Sequence, residues 1–339
     1  MGDTNRQWRL AARPTGEPTH DTFELVEAGV PDPEHGEVLV RTIYQSVDPY
    51  MRGRMRDAES YAEPWEPGEP MRAGVVGEVV ESRADRFDEG DVVTGDLLWA
   101  EYATATATEL RRVDPSLAPV STAVGVLGMP GVTAFHGFMD KGKPQAGDTV
   151  VVSAAAGAVG SVVGQLASAM GCDVIGIAGA EEKCDWLTDD LGFDAAVNYE
   201  EEDVGRAVAE AAPGGVDVYF DNVGGPVTDA VWPSLNDFAR VVACGQISLY
   251  NATELPTGPR KLTDAVQKRL KIEGFIVRDY DRWGHALRRL GGLVRDGDLQ
   301  YREHVIEGFE NAPDAFLGLF EGINIGKTLV KVGEEPELP

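Results

Sequence analysis

The stretch from Thr149 to Gly171 limits the fold of this chain more than any other. "TVVVS" is a β-branched run of strand length, "AAAGAVG" supplies a turn, and "SVVGQLASAMG" is apolar at helical length. A strand followed by a turn and a helix crosses over to a parallel neighbour, and "DVIGIA" at 173–178 is that neighbour. Ser153, Gly157, Ser161, Gln165 and Ser168 interrupt the apolar run, so it does not read as a membrane span. Gly157 lacks a Cβ and lets the backbone approach a pyrophosphate, whose charge is met by amide N–H groups and the positive end of the helix. Ala155 stands where the G-x-G-x-x-G fingerprint has its first glycine, so the reading rests on the strand before and the helix after. Gly160 and Gly164, about one helical turn apart, are expected to let that helix lie close on the sheet.

Strand-like runs at 149–154, 173–178, 195–198, 216–220, 238–244 and 272–277 alternate with helix-length segments near 158–170, 182–191, 202–212 and 285–295. Six strands with crossover helices are the count of a doubly wound dinucleotide fold, although spacing leaves the strand order open. Residues before 125 differ in texture. "EVLVRTIYQSVD" and "AGVVGEVVES" alternate or run in β-branched residues, and Pro and Gly cluster at 64–70. The terminal "GKTLVKV" is again β-like and is expected to return to that N-terminal unit. At 339 residues the chain exceeds the length, about 250–300 residues, at which single cores stop growing. An α/β body of two domains is therefore expected, 1–124 with 300–339 and 125–299.

Charge narrows the partners. With 57 acidic against 30 basic residues the formal charge is −27, which repels nucleic-acid backbones and anionic lipid. Only 8 of the 30 cations are lysine, and the acids are scattered, a pattern expected of a protein kept soluble in concentrated salt. The alternative is an ordinary acidic cytosolic enzyme. Cys172, Cys184 and Cys244 form no CxxC pair, and the five histidines never fall at i, i+4, so neither a disulfide framework nor a bound metal is expected. Asp3, Arg6 and Arg9 break any signal-peptide run, and Gly2 lacks the Ser or Thr at position 6 that myristoylation needs, which reads as cytoplasmic.

An NAD site usually places Asp or Glu at the end of the second strand, on the ribose diol, yet "IGIAGA" ends in small apolar residues. Glu181 and Glu182 belong instead in the first turn of the next helix, where acids favour the dipole. Lys183 follows them and can pair with a 2′-phosphate, or else is a solvated helix lysine, so NADP(H) is the expected cofactor. Asp217 and Asp221 share one strand and have no paired base, so they read as structural caps, not a catalytic pair. No G-x-S-x-G elbow occurs.

Further strings occur in order: "SVDPYMRGRM" at 46–55, "GVLGMPGVTAF" at 125–135, "AAAGAVGSVVGQLA" at 154–167, "YFDNVGG" at 219–225, "CGQISLYN" at 244–251, "GFIVRDY" at 274–280 and "EGFENAPDAF" at 307–316. On these the chain resembles, nearly end to end, the zinc-independent medium-chain dehydrogenase/reductases that include prostaglandin reductases, leukotriene B4 12-hydroxydehydrogenases and curcumin-type double-bond reductases. The resemblance implies a Rossmann doubly wound sheet, a β-rich GroES-like substrate domain and a homodimer. It implies that Gly157, Ala158, Val159 and Gly160 contact the pyrophosphate, and that Lys183 and Tyr199 approach the 2′-phosphate. Further cofactor contacts are implied for Asn222, for the strand end from Cys244 and Gly245 to Tyr250, for Phe275, Ile276 and Val277, and for Asn324. His136 departs from the pattern, standing where relatives commonly carry an apolar or aromatic residue.

The implied chemistry is NADPH-dependent reduction of the activated C=C bond of an enone or enal, with charge building on the carbonyl oxygen. Tyr250 is the expected catalytic donor, together with the nicotinamide ribose 2′-OH, because a phenol with a pKa of about 10 stays protonated. Its plain alternative is packing at a strand end. Tyr50 is expected either to line the substrate pocket or to pack. A zinc-independent quinone reductase, and an NADPH-binding sensor without turnover, remain as other readings.

Overall fold

A computed structural model describes residues 4–254, 256–281 and 283–336. Gly2 and Asp3, used above to read the N-terminus, lie outside the described residues, as does Leu255. The chain divides into two compact units, Met1–Gly125 with Glu303–Asn324 and Thr328–Pro339, and Val126–Arg302 with Ile325–Lys327.

The second unit holds a six-stranded sheet. Its strands in chain order are Thr149–Ser153, Asp173–Ala178, Ala195–Asn198, Val216–Asp221, Leu235–Ala243 and Lys271–Gly274. Across the sheet they run third, second, first, fourth, fifth, sixth, with every neighbouring pair parallel. The order reverses between the first and fourth strands, and a ligand crevice opens beyond the carboxyl ends at such a reversal. The first strand is buried on both faces, as its run of valines requires. Val150 and Val152 pack with Val162, Val163 and Leu166 of the helix Gly160–Ala169, and Val151 packs on the other face with Ile175, Tyr219 and Trp232.

The six strands occupy the expected places, with shifted ends. The fifth begins at Leu235 and the sixth stops at Gly274, before the Phe275–Val277 segment. The helix expected over 202–212 starts at Val204, because Asp203 caps it by accepting from the Arg206 amide. The helix expected over 182–191 is Glu181–Asp185 continuing into a wider π-type turn, Trp186–Asp190. Gly164 faces the ring of Phe193 instead of sheet backbone, a Cβ there falling 1.9 Å from Cζ. Helices Met129–His136, Gly225–Val231, Leu262–Gln267 and Ala312–Glu321 were not anticipated. The first two are short and glycine-bearing, which hides their period.

The first unit is β-rich. The strand Glu37–Ser46 pairs antiparallel with Arg72–Ser82, with Tyr102–Thr106 and with the terminal Lys327–Lys331. The return of the "GKTLVKV" tail to the N-terminal strands is thus observed. Thr4–Leu10 and Phe23–Gly29 form a separate two-stranded sheet. Phe23 stacks on Trp99 at 6.3 Å, and Phe316 meets both rings edge-on.

Candidate functional site

At the end of the first strand Ala154 takes a φ of +47°, and the turn closes where the Gly157 amide donates to the Ala154 carbonyl at 3.0 Å. Gly160 is required by close approach, since a Cβ there would lie 2.4 Å from that same carbonyl oxygen. Ser161 donates through its amide and its hydroxyl to the Gly157 carbonyl, at 3.1 and 2.8 Å. No side chain caps the helix Gly160–Ala169; the Ser161 amide is used within the turn, and the Val163 amide donates to the Val159 carbonyl at 3.0 Å. The turn is braced from behind. Gly326 donates its amide to the Ala156 carbonyl at 2.7 Å and forms a parallel bridge with Gly157. Gly326 has a φ of +72°, and a Cβ would fall 2.0 Å from the Arg302 carbonyl oxygen, so only glycine fits.

The second strand ends in Ala178, Gly179 and Ala180, and no carboxylate stands there. Lys183 lies in the following helix, half-buried, and burial draws its ammonium pKa down while Glu182 and Cys184 oppose the shift. Tyr199, just past the third strand, donates its amide to the Ala178 carbonyl at 3.0 Å. Its ring lies against Gly179, whose Cβ would be 2.5 Å from the phenol oxygen. Lys183 and Tyr199 therefore flank one strand end. Burial raises the Tyr199 pKa, and the Glu200 charge adds to it.

The fourth strand ends in Asp221, which is 2% exposed. Its Oδ1 accepts from Ser153 Oγ at 3.0 Å, from the Tyr219 hydroxyl at 2.9 Å and from the amides of Val223 and Gly224. Its Oδ2 accepts from Thr228 Oγ1 at 2.6 Å. Asn222 donates its amide to Ser153 Oγ and its Nδ2 to the Ser153 carbonyl, at 2.9 and 2.7 Å. Cys244 and Gly245 donate their amides to the Asp221 carbonyl. The ends of the first, fourth and fifth strands are thus tied together. Asp217 accepts from the Thr149 amide and Asn236 Nδ2, so both carboxylates are engaged in structural hydrogen bonds. Burial pushes the Cys244 thiol up to about 12, with Asp221 adding, which leaves it neutral and unreactive.

Tyr250 ends the one-turn helix Ile247–Leu249, and its hydroxyl accepts the Gln246 amide at 3.4 Å. A Cβ on Gly245 would lie 3.5 Å from that hydroxyl, which places the phenol at the carboxyl end of the fifth strand. Burial raises its pKa, the Gln246 contact lowers it and Cys244 raises it further. Phe275, partly buried, packs its ring against Gly137 at the margin of the core. Ile276 and Val277 are half-buried. Tyr50 precedes the one-turn helix Met51–Arg54 and packs beside the core that contains Met51 and Trp65. Asn324, half-buried, is assigned with Tyr50 to the β-rich unit. Ser153, Tyr219, Thr228 and Gly326 were missed from sequence. The run Tyr219–Asp221 carries a signal, because two polar groups spaced two apart on a strand share a face.

The glycine turn offers amides to a pyrophosphate and the second strand end offers a cation and no acid, so these residues fit a dinucleotide with a 2′-phosphate. Among the described residues no group of three or more His, Cys, Asp or Glu gathers to hold a metal ion, and no helix is long and apolar enough to cross a membrane. Residues 6–113 match the family described as the N-terminal domain of oxidoreductase, and residues 158–291 match the one described as zinc-binding dehydrogenase. The NADPH-dependent curcumin reductase of Escherichia coli is 44% identical over 97% of this chain and 97% of its own length. The chain belongs to the medium-chain dehydrogenase/reductase superfamily, in its zinc-independent double-bond reductase group. YfmJ of Bacillus subtilis is 49% identical over 98% of this chain and 99% of its own. The crystal structure of CurA from Vibrio vulnificus in complex with NADPH matches with a TM-score of 0.93 and 46% identity, covering 97% of this chain and 100% of CurA.

Proposed function

We infer that this medium-chain reductase uses NADPH to reduce the activated C=C bond of an α,β-unsaturated ketone or aldehyde. The observation that carries the cofactor is the end of the second strand, where Tyr199 packs on Gly179, Lys183 lies in the helix that follows and Ala178, Gly179 and Ala180 offer no acid for a ribose diol. The full-length similarity to a curcumin reductase supports the double-bond chemistry. When bound, the nicotinamide supplies hydride for the β-carbon of the substrate. Gly157, Ala158, Val159 and Gly160 hold the pyrophosphate, and Lys183 with Tyr199 holds the 2′-phosphate. Asn222, Cys244, Gly245, Phe275, Ile276, Val277 and Asn324 complete the cofactor contacts.

Tyr250 meets the oxygen on which negative charge develops. Its raised pKa keeps the phenol protonated, and its partly desolvated setting strengthens a hydrogen bond to an oxyanion. Tyr50 is assigned to the substrate. The deciding assay follows NADPH consumption in high salt against enones, enals and quinones and identifies the product. A saturated ketone or aldehyde is the expected product; turnover of quinones alone would replace this reading with quinone reduction, and binding without turnover would replace it with a sensor.

Three finer readings belong to the same proposal. The protein forms a homodimer, supported by the exposed Phe238, Leu262, Val266 and Ile272 near the outer, sixth strand; light scattering that returns a monomer mass overturns it. It works in the cytoplasm, and its charge of −27 suits a high-salt interior. Retention of full stability in dilute buffer would count against the high-salt reading.

A further inference from the structure

The helix Met129–His136 continues into a wider π-type turn, Gly137–Gly142. Such insertions have poorer hydrogen-bond geometry than the helix they interrupt and are frequent at functional positions. Here the change of winding lies against the segment that follows the sixth strand. A Cβ at Gly137 would lie 2.3 Å from Phe275 Cζ, so the phenylalanine ring fills the room a side chain would take. One residue earlier the His136 ring lies flat on Tyr280, with centroids 4.3 Å apart and planes 16° from parallel. Phe275 meets Tyr280 edge-on at 6.3 Å. Between these two rings the chain makes a tight turn, in which Asp279 and Tyr280 donate their amides to the carbonyls of Ile276 and Val277.

His136 is 5% exposed, and its Nδ1 lies 2.9 Å from Asp140 Oδ2. A carboxylate accepts and does not donate, so Nδ1 carries the proton, which fixes both the tautomer and the rotation of the ring. Among the described residues Nε2 has no hydrogen-bond partner. The imidazole works through its flat face, with one anchor that sets its plane.

We propose that His136 is a positioning residue for the cofactor segment Phe275–Val277, acting through its stack on Tyr280 with its plane set by Asp140. The proposal rests on the reading that Phe275–Val277 contacts NADPH. The segment leaves an outer strand, so the aromatic pins at its two ends limit its conformers. When a pin is lost, the fraction of molecules in the binding-competent form falls, and apparent affinity falls by the same factor.

The test compares His136→Leu with His136→Phe. Both fill the site with hydrocarbon, and only Phe offers a ring to stack on Tyr280. His136→Leu is expected to raise KM for NADPH about fivefold to tenfold with kcat within about twofold, to speed hydrogen exchange over 275–280, and to leave the melting temperature within a few degrees of His136→Phe. His136→Phe is expected to return KM to within about twofold of wild type. Equal KM values for the two variants overturn the positioning role, as does a fall in kcat as large as the rise in KM. Exchange measured on wild type with and without NADPH tests the underlying reading separately. Protection of 275–277 upholds it, and absence of protection overturns the cofactor contact whatever the variants do.

Discussion

At the end of the fourth strand Asp221 is 2% exposed and receives hydrogen bonds from three hydroxyls and two amides, whereas at the end of the second strand Tyr199 is 44% exposed and Lys183 carries a charge that burial disfavours. The first region is satisfied by the protein's own groups. Its hydrogen bonds tie Asn222, Cys244 and Gly245 to the strand ends without help from a ligand. In the second region the proposed 2′-phosphate would offset the burial that draws the Lys183 pKa down. On the proposed reading, selectivity between cofactors lies at the more exposed strand end and geometry for the chemistry at the more buried one.

The largest expected effect tests the more buried end. Asp221→Ala leaves buried donors on Ser153 and Tyr219, each worth about 1–3 kcal/mol when orphaned, and a partly buried one on Thr228, and should cost roughly 3–5 kcal/mol of stability. Urea unfolding measures it, and a loss under about 1 kcal/mol would show that the hub is not what holds the strand ends. At the more exposed end, Lys183→Ala should raise KM for NADPH about thirtyfold, as loss of a charge-assisted contact does, and leave KM for NADH nearly unchanged. If both constants rise together, the lysine is structural and the contrast between the ends fails.

Tyr250→Phe should lower kcat about tenfold or more while KM for NADPH moves less than about threefold. Unchanged turnover removes the phenol from the reaction. The smallest effect is an expected constancy. Burial raises the Tyr250 pKa above its ordinary 10.0, so the hydroxyl is protonated below that value and lost only above it, and kcat should show no alkaline fall assignable to this group up to about pH 10. A fall centred below pH 9 that vanishes in Tyr250→Phe would contradict the observed burial.

Much of this arrangement is legible in the chain itself, for a physical reason. Strand periodicity and a glycine turn are local, so "TVVVSAAAGAVG" reveals strand, turn and helix without knowledge of what packs on them. The missing acid after "IGIA" is local too. Strand order is not, and neither is the hub, because Ser153 and Asp221 are 68 residues apart and meet only when the first and fourth strands pair. The helix Gly225–Val231 escaped notice because its first residues are glycine and proline, which lower helix propensity while suiting a helix start. His136 stood out in sequence as an unusual letter, and its stack on Tyr280 across more than a hundred residues gave that letter a use.

The bridge between Gly157 and Gly326 carries a consequence for synthesis. The glycine turn is made 169 residues before Gly326, which braces it, is added to the chain. A nascent chain can build most of the parallel sheet while still attached to the ribosome, but it cannot brace the turn. Cofactor affinity should thus appear only once Gly326 has been added, and a chain truncated before Gly326 should fold much of its sheet and hold the dinucleotide poorly.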